Sequence, residues 1–438
     1  MEHLEPIQKS ITTLMQYNKE RVKVSCPVCC DFEWEYLDQY LPSIVDSKPC
    51  ICKTCGFITY NPQLKNIMQW YVGEKRPQSV GFLQTKANKI EKHKLLIGKF
   101  LKDNGVDMDI SSVLDYGCSD GYLLEYLRDD LLFVEECNDQ VFVKGIEINA
   151  GHANWAKYIK GLDVTTNPDL EAIDGKFDLV CLYHVLEHVQ QPGKFLDELS
   201  KKIVDGGYLY LALPTLNRLD YPNIESVFKD EHINYFTDEM LEAFLWMHGF
   251  KKVFFDNVQY GTCMVLQKKH NPKIESPNFY SSNLDLIKRI SHAYKCKLAM
   301  EDSERSGDRM KAVNYGVEGL KAFQEFPELI TKIAAWKDDN DTIDYYEDAI
   351  DKMPHLKEIQ TSFALHYYKM GEFEKAKEML LKLCDEYGRY THIIAHLAYI
   401  EYQDGNLLKA VEYCQETVDK TPFDQGNFSQ LASIVMAM

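Results

Sequence analysis

The stretch VLDYGCSDGYLLEYL, Val113 to Leu127, holds a short apolar run, a glycine turn and apolar residues at helical spacing in immediate succession. Ser112 to Tyr116 suits a central strand, Gly117 to Gly121 breaks it, and Tyr122 to Leu127 opens a helix. Glycines at such a turn let the backbone come close to a ligand, and the N–H groups that open the next helix attract a negatively charged group. A nucleotide-like ligand is the expected occupant.

The spacing narrows the choice. A dinucleotide fingerprint needs G-x-G-x-x-G, whereas Gly117 and Gly121 stand four apart with Asp115 two positions before the first. The pattern Asp-x-Gly-x-x-x-Gly resembles motif I of the class I S-adenosylmethionine-dependent methyltransferases. The resemblance implies that the turn takes the methionine end of the cofactor, with Asp115 near its amino group and Gly117, Cys118 and Gly121 around it. That family often carries a further glycine where Ser119 stands.

From this motif onward strands and helices alternate, which predicts a Rossmann-like α/β fold: a mostly parallel sheet, helices on both faces, and an antiparallel last strand. The second strand, Phe142 to Ile148, ends on Glu147 and Ile148. Ligands of open α/β sheets bind beyond the carboxyl ends of the strands, so Glu147 is placed to accept hydrogen bonds from ribose hydroxyls. The third strand, around Leu162 to Thr166, leads to a loop expected near the adenine, with Asp169 the candidate for its amino group. The fourth, Phe177 to Tyr183, is almost continuously apolar, as a strand covered on both faces should be.

That strand runs straight into His184-Val-Leu-Glu187-His188 and on to Pro192. H-x-x-E-H alone is a zinc-peptidase pattern, but it then requires one long helix, and here a buried strand precedes it and a proline closes it. FDLVCLYHVLEHVQQP instead resembles the segment after strand four in methyltransferases acting on sugars and other small polar acceptors. There the segment covers the cofactor and begins the acceptor pocket, which implies pocket roles for Tyr183 and His188. Asp205-Gly-Gly207 is expected to end the next helix, Tyr208 to Pro214 to form the fifth strand, and Thr237 to cap a helix reaching Gly249. The loop between holds His232, a candidate general base because an unperturbed imidazole titrates at about 6.5. Phe250 to Val258 and Thr262 to Lys269 complete the sheet as a hairpin.

Residues 1–23 read as a polar helix. Two C-x-x-C knuckles follow, Cys26 with Cys29 and Cys52 with Cys55, placing four thiolates where one tetrahedral zinc can take them all. Such a closed site leaves no position for water, so it is expected to be structural; Cys30 and Cys50 sit beside the knuckles. The zinc ribbon is assigned to 24–62 and the cofactor domain to 63–269, with Gln63 to Ala87 a helical crossing and Lys89 to Asn104 a helix closed by Gly105. Together, the ribbon with FITYNP, HVLEHV and EHINYF resemble the bacterial sugar C-methyltransferases and their relatives. In those enzymes the last histidine of a Tyr-His-Glu-His stretch is implicated as base; Glu231 and His232 match its end, while Lys229 and Asp230 replace its Tyr-His pair. Transfer to an O- or N-acceptor is therefore expected as readily as to carbon.

Residues 270–325 read as a linker and helices, with the polar run Asn271 to Asn283 as the linker itself. Beyond it Ala364, Gly371 and Ala376 recur 34 residues later as Ala398, Gly405 and Ala410, and Pro354 recurs as Pro422. That is the tetratricopeptide period, so 326–438 are expected to be such repeats, ending in a capping helix around Phe428 to Ala432 and offering a protein partner a docking surface.

Composition bounds the rest. A chain of 438 residues requires more than one core, and a net charge of −18 disfavours nucleic acid and anionic membranes as bulk partners. No run of about 18 apolar residues occurs, the N-terminus lacks a leader-type apolar core, and thirteen cysteines fit a reducing compartment, so the cytoplasm is the expected location. The leading expectation is methyl transfer from S-adenosylmethionine to a small polar acceptor such as a sugar or nucleotide sugar. An RNA methyltransferase with a zinc ribbon, or a repeat scaffold with a regulatory cofactor fold, are the alternatives.

Overall fold

In the computed structural model the residues described are 21–42, 47–65, 80–105, 110–132, 141–217, 227–228, 232–258, 261–269, 278–337, 339–421 and 425–437. Residues 1–20, where a helix is expected, lie outside them, as do Lys229 to Glu231, Pro422 and most of the Asn271 to Asn283 run. Arg21 and Val22 form a short strand, β1. Then come β2 (Trp34–Tyr36), β3 (Lys48–Cys52) and β4 (Ile58–Asn61), an antiparallel ribbon, and β5 (Gln63–Leu64), which pairs back onto β1. A helix, α1 (Val80–Asp103), leads into the main sheet and closes at Gly105, whose φ of 63° is left-handed.

The main sheet has seven strands: β6 (Ser112–Tyr116), β7 (Phe142–Ile146), β8 (Asp163–Thr165), β9 (Phe177–Tyr183), β10 (Ile203–Pro214), β11 (Phe250–Val258) and β12 (Gly261–Lys268). Their order is β11-β12-β10-β9-β6-β7-β8. β6 to β10 run parallel, and β12 is inserted antiparallel to both neighbours, β10 and β11. The order reverses at β6, so the carboxyl ends of β6, β7 and β9 open on one crevice.

Period-two alternation sorts the buried side chains onto two faces. Leu114 and Val180 face α4 (Pro192–Lys201) and α5 (Asp238–Met247); Val113 and Leu179 face α1, α2 (Tyr122–Tyr126) and α3 (Ala150–Tyr158). Thr237 caps α5 by accepting from Met240 N at 3.3 Å, as the sequence predicts. β10 departs from expectation by starting at Ile203, before the glycines, with its register to β9 shifting between Ile203 and Tyr208. Gly206, at φ 83°, absorbs the shift as a bulge instead of ending the helix.

The C-terminal half is helical: α6 (Tyr280–Arg305), α7 (Arg309–Ala322), α8 (Pro327–Ala334), α9 (Asp339–Lys352), α10 (Lys357–Lys369), α11 (Phe373–Tyr387), α12 (Thr391–Gln403), α13 (Leu407–Lys420) and α14 (Gln425–Ala437). Helix starts recur 34 residues apart at Asp339, Phe373 and Leu407, and at Lys357, Thr391 and Gln425. Gly371 and Gly405 turn at the same φ of 81°, and Ala364, Ala376, Ala398 and Ala410 are wholly buried where paired helices meet. Among the described residues no helix is long and apolar enough to cross a membrane.

Asn283, expected in a linker, sits inside α6 and is buried, donating from Nδ2 to the Gly56 carbonyl at 3.0 Å. Phe279 N donates to Cys55 O at 3.0 Å, so the start of α6 is seated on the second cysteine knuckle. The amide of Asn283 thus caps the knuckle's backbone. Gly56 is the tightest point: its φ is 84°, and a Cβ there would lie 2.4 Å from the Phe279 carbonyl carbon. Gly56→Ala is therefore expected to lower unfolding free energy by about 2 kcal/mol or more, combining left-handed strain with a backbone clash. Urea denaturation of the two proteins checks this; equal midpoints would remove the seat as a constraint.

Candidate active site and cysteine cluster

The turn after β6 is more strained than its two glycines suggest. Gly117, Ser119 and Gly121 all have left-handed φ, at 85°, 52° and 78°. Ser119 thus occupies the conformation for which glycine is ordinarily chosen. Space is tight as well: a Cβ on Gly117 would lie 2.7 Å from Val185, and one on Gly121 would lie 2.4 Å from Leu162 and 3.1 Å from Ala156. Gly117 therefore lets the segment after β9 cross the turn, and Gly121 lets α2 approach α3. Gly117 N and Cys118 N donate to the Ile146 carbonyl, and the buried Cys118 thiol packs beneath the turn, where burial pushes its pKa up.

Asp115 and Glu147 meet beside this turn. Glu147 accepts from Ser119 N at 2.9 Å through Oε2 and from Asn149 N at 2.7 Å through Oε1. Asp115 is 2% exposed, and its Oδ1 has no hydrogen-bond partner. Burial, and then the nearby Glu147 charge, raise its carboxyl to about 7. A buried carboxylate oxygen without a donor, next to a second carboxylate, is chemically suited to a cationic group. Ile148 is half-buried just beyond β7. Asp169 is exposed, and its Oδ1 accepts from Glu171 N at 2.9 Å, capping a short 3-10 turn; the adjacent Tyr116 hydroxyl donates to Pro168 O at 3.0 Å.

On the other side of the crevice, Glu187 is the centre of a histidine cluster. It is 1% exposed. His184 Nδ1 lies 2.9 Å from its Oε1, His188 Nε2 lies 3.6 Å from the same oxygen, and the His188 and His232 rings are 4.9 Å apart. Ligand-type atoms of Glu187, His188 and His232 fall within 4.8 Å of one another. Burial by itself would raise the Glu187 carboxyl, but His188, His184 and His232 together hold it down at about 2. His184 was not singled out from sequence; its φ of 54° is the signal of a backbone held in the left-handed region to aim the ring.

Tyr183 packs between His93 and His184, with ring centroids 4.2 Å and 4.6 Å away, and burial keeps its phenol protonated. The buried His93 pairs through Nδ1 with the Tyr210 hydroxyl at 2.6 Å and is held neutral by burial. The His232 loop is clamped from below. Ile233 N and Asn234 N donate to the Glu187 carbonyl, Asn234 Nδ2 to Leu186 O and Val189 O, and Tyr235 N to Ile58 O of the ribbon. Thr59 of the ribbon also donates to Ile233 O.

The four knuckle sulfurs converge. Cys26 and Cys55 sulfurs are 3.5 Å apart, as are those of Cys29 and Cys52, and all four lie within 4.8 Å of one another with no disulfide. A tetrahedral zinc with Zn–S of about 2.3 Å has sulfur–sulfur edges of about 3.8 Å, so the set fits that ion. Cys30 is exposed and Cys50 is buried in β3; neither belongs to the cluster.

Residues 83–253 match the family described as a methyltransferase domain. Over 131 residues the chain is 34% identical to the mitochondrial ubiquinone biosynthesis O-methyltransferase of Candida albicans, covering 28% of this chain and 37% of that one. Over 112 residues it is 36% identical to the ubiquinone biosynthesis O-methyltransferase of Caulobacter vibrioides, covering 24% and 41%. The chain thus spans less than half the length of these curated relatives. A solved magnesium protoporphyrin IX methyltransferase from Synechocystis PCC 6803 with bound SAH aligns at 16% identity and a TM-score of 0.32, covering 46% of this chain and 91% of that one. The methyltransferase-domain match thus falls on the seven-stranded sheet and its crevice, and a helical region follows it.

Glu187 gives a direct test of the histidine cluster. Its folded pKa lies below the unfolded value of 4.5, so its contribution is present above that pH and is lost as pH falls towards 2. Glu187→Gln should cost on the order of 3 kcal/mol at pH 7, with the gap to the parent protein narrowing below pH about 4.5. Urea titrations at stepped pH measure it, and a gap independent of pH would show that the carboxylate is not held by the imidazoles.

Proposed function

We propose that this protein is an S-adenosylmethionine-dependent methyltransferase acting on a hydroxyl of a small polar acceptor. The observation carrying this reading is the buried Asp115 oxygen that lacks a donor, set beside Glu147 at the tips of adjacent parallel strands. Asp115 takes the amino group of the cofactor's methionine end, and Glu147, at the tip of the neighbouring strand, takes ribose hydroxyls. Gly117, Cys118 and Gly121 shape the turn between them, Ile148 lines the ribose side, and Asp169 stands at the adenine end. When bound, the cofactor supplies a sulfonium-activated methyl group.

The acceptor side is assigned to Tyr183, His188 and His232. His232 removes the hydroxyl proton. The Glu187 charge next to it and to His188 favours the imidazolium that results, in the manner of a carboxylate behind a catalytic histidine. The curated relatives are named as O-methyltransferases of ubiquinone biosynthesis, which supports oxygen as the receiving atom. A sugar hydroxyl is the finer reading we retain from the HVLEHV and EHINYF resemblance; no name among these relatives speaks for it.

The cysteine set is assigned a structural zinc that fixes the ribbon behind the His232 loop, and 326–438 are assigned as tetratricopeptide repeats that receive a protein partner. The four converging sulfurs and the 34-residue recurrence support these two assignments.

Calorimetry with S-adenosylhomocysteine tests the cofactor site. One saturable site is expected, weakened at least about tenfold in Asp115→Asn, and absence of heat would overturn the reading. Free Asp115 keeps its proton up to pH about 7, whereas an ammonium placed against it favours the carboxylate, so binding below that pH must expel a proton. Affinity should therefore be full above pH 7 and fall by up to about tenfold per unit below it, and this slope should vanish in Asp115→Asn. With a competent acceptor, His232→Ala should lower kcat about 100-fold or more while leaving the homocysteine product's Kd within twofold. Unchanged kcat would remove His232 from the chemistry.

A further inference from the structure

One more set of ligand-type side chains converges away from both sites described above. His292 and Cys296 stand one turn apart on α6, and Glu318 faces them from α7. Cys296 Sγ lies 3.6 Å from His292 Nε2, and that same nitrogen lies 3.2 Å from Glu318 Oε1. All three ligand atoms are within 4.8 Å of one another. A tetrahedral zinc with Zn–S of about 2.3 Å and Zn–N and Zn–O of about 2.0 Å separates sulfur from nitrogen by about 3.5 Å and nitrogen from oxygen by about 3.3 Å. The observed separations are those of two edges of that tetrahedron.

Hydrogen bonding uses this trio incompletely. The ring nitrogen Nε2 carries either one proton or one lone pair. As a donor to Glu318 it turns its N–H away from the thiol, and as an acceptor from the thiol it turns a lone pair on the carboxylate. A cation between the three atoms satisfies all of them at once. The donor set also selects the cation: a thiolate with an imidazole suits zinc and its neighbours, and does not suit magnesium or calcium.

We propose that His292, Cys296 and Glu318 form a second metal site of the zinc class, tying α6 to α7 with one coordination position open to solvent. The open position follows from exposure, since the His292 and Glu318 side chains are 50% and 56% accessible while Cys296 is buried beneath them. The two helices are already closely seated at this point: a Cβ on Gly319 would lie 3.1 Å from the Cys296 Cβ. On binding, the Cys296 S–H bond breaks, the sulfur–metal bond forms, and the proton passes to solvent. The site lies on the same helix whose start is seated on the cysteine knuckle, about 20 Å along the axis from Asn283 at 1.5 Å per residue. A metal here holds the middle of the helix that the ribbon holds at its near end.

The test is a cobalt(II) titration of the full chain as purified, under reducing conditions, against Cys296→Ser and His292→Ala. The parent protein should bind one equivalent more than Cys296→Ser, and the difference spectrum should carry a thiolate-to-cobalt band in the near ultraviolet. His292→Ala, an exposed position that leaves the fold intact by circular dichroism, should weaken that equivalent at least tenfold, and zinc should displace it. Equal stoichiometry in the parent protein and Cys296→Ser, or a further equivalent without the thiolate band, would overturn the proposal and leave the metal at Glu187, His188 and His232 or at no defined place. None of these readouts involves the methyl donor, so the outcome is independent of the cofactor reading.

Discussion

The fold holds the Asp115 carboxylate out of water and leaves its Oδ1 without a hydrogen-bond partner. Asp115 sits at the end of a strand buried on both faces, with a second carboxylate next to it and an oxygen that nothing donates to. Both effects raise its pKa above that of a free aspartate, so in the ligand-free protein the position opposes folding as pH rises from about 4 to about 7. The rest of the sheet must supply the stability to hold it there. That is the usual relation between a binding site and its scaffold: local consistency is broken where a ligand is meant to complete it.

Across the crevice, Glu187 has the opposite environment. It is as deeply buried as Asp115, yet three imidazoles surround it and hold its carboxyl down at about 2. Two buried carboxyls with pKa values pushed in opposite directions thus face the crevice, one raised by burial and a neighbouring carboxylate, the other held down by its imidazole neighbours. The Glu187 side is held in place by long-range contacts: His184 in a left-handed backbone conformation, Asn234 bridging to Leu186 and Val189, and the ribbon strand β4 bonded to the His232 loop. The ribbon therefore acts on the crevice by bracing a loop.

What the sequence disclosed follows from the range of the forces involved. Strands β6, β7, β9 and β12 and the cap at Thr237 are written in contiguous residues, through apolar runs, glycines and side-chain caps, and can be read there. The four cysteines are legible for the same reason, since two short spacings already constrain the sulfurs. The extension of β10 through Asp205 to Gly207 could not be read, because a glycine pair is as good a helix stop as it is a bulge, and only pairing with β9 and β12 decides between them. Asn283 was misread as linker because its partner is a carbonyl 227 positions away. His184 went unassigned because its role depends on a backbone angle, and Ser119 looked like a departure from pattern until the turn placed it at φ 52°.

The C-terminal helices are joined to the half that carries the seven-stranded sheet through a buried cation. Lys92 of α1 is buried; its ammonium donates to the Glu386 carbonyl at 2.8 Å, lies 4.3 Å from the centre of the Tyr387 ring and is 3.9 Å from Asp256 of β11. Burial lowers its pKa, so the interaction is no large source of stability, since most of what the contacts contribute offsets desolvation of the charge. What it supplies is selectivity: the last turn of α11 satisfies the ammonium, and Gly388 against Glu91, with Lys420 3.5 Å from the Glu91 carboxylate, agrees with that placement. A buried charge that can be satisfied in one geometry alone fixes the angle between the two halves more firmly than an apolar face of equal area, which tolerates sliding. The neighbour of Lys92 along α1 is His93, which packs on Tyr183, so the element that meets the C-terminal helices is also the one that backs the end of β9 at the crevice.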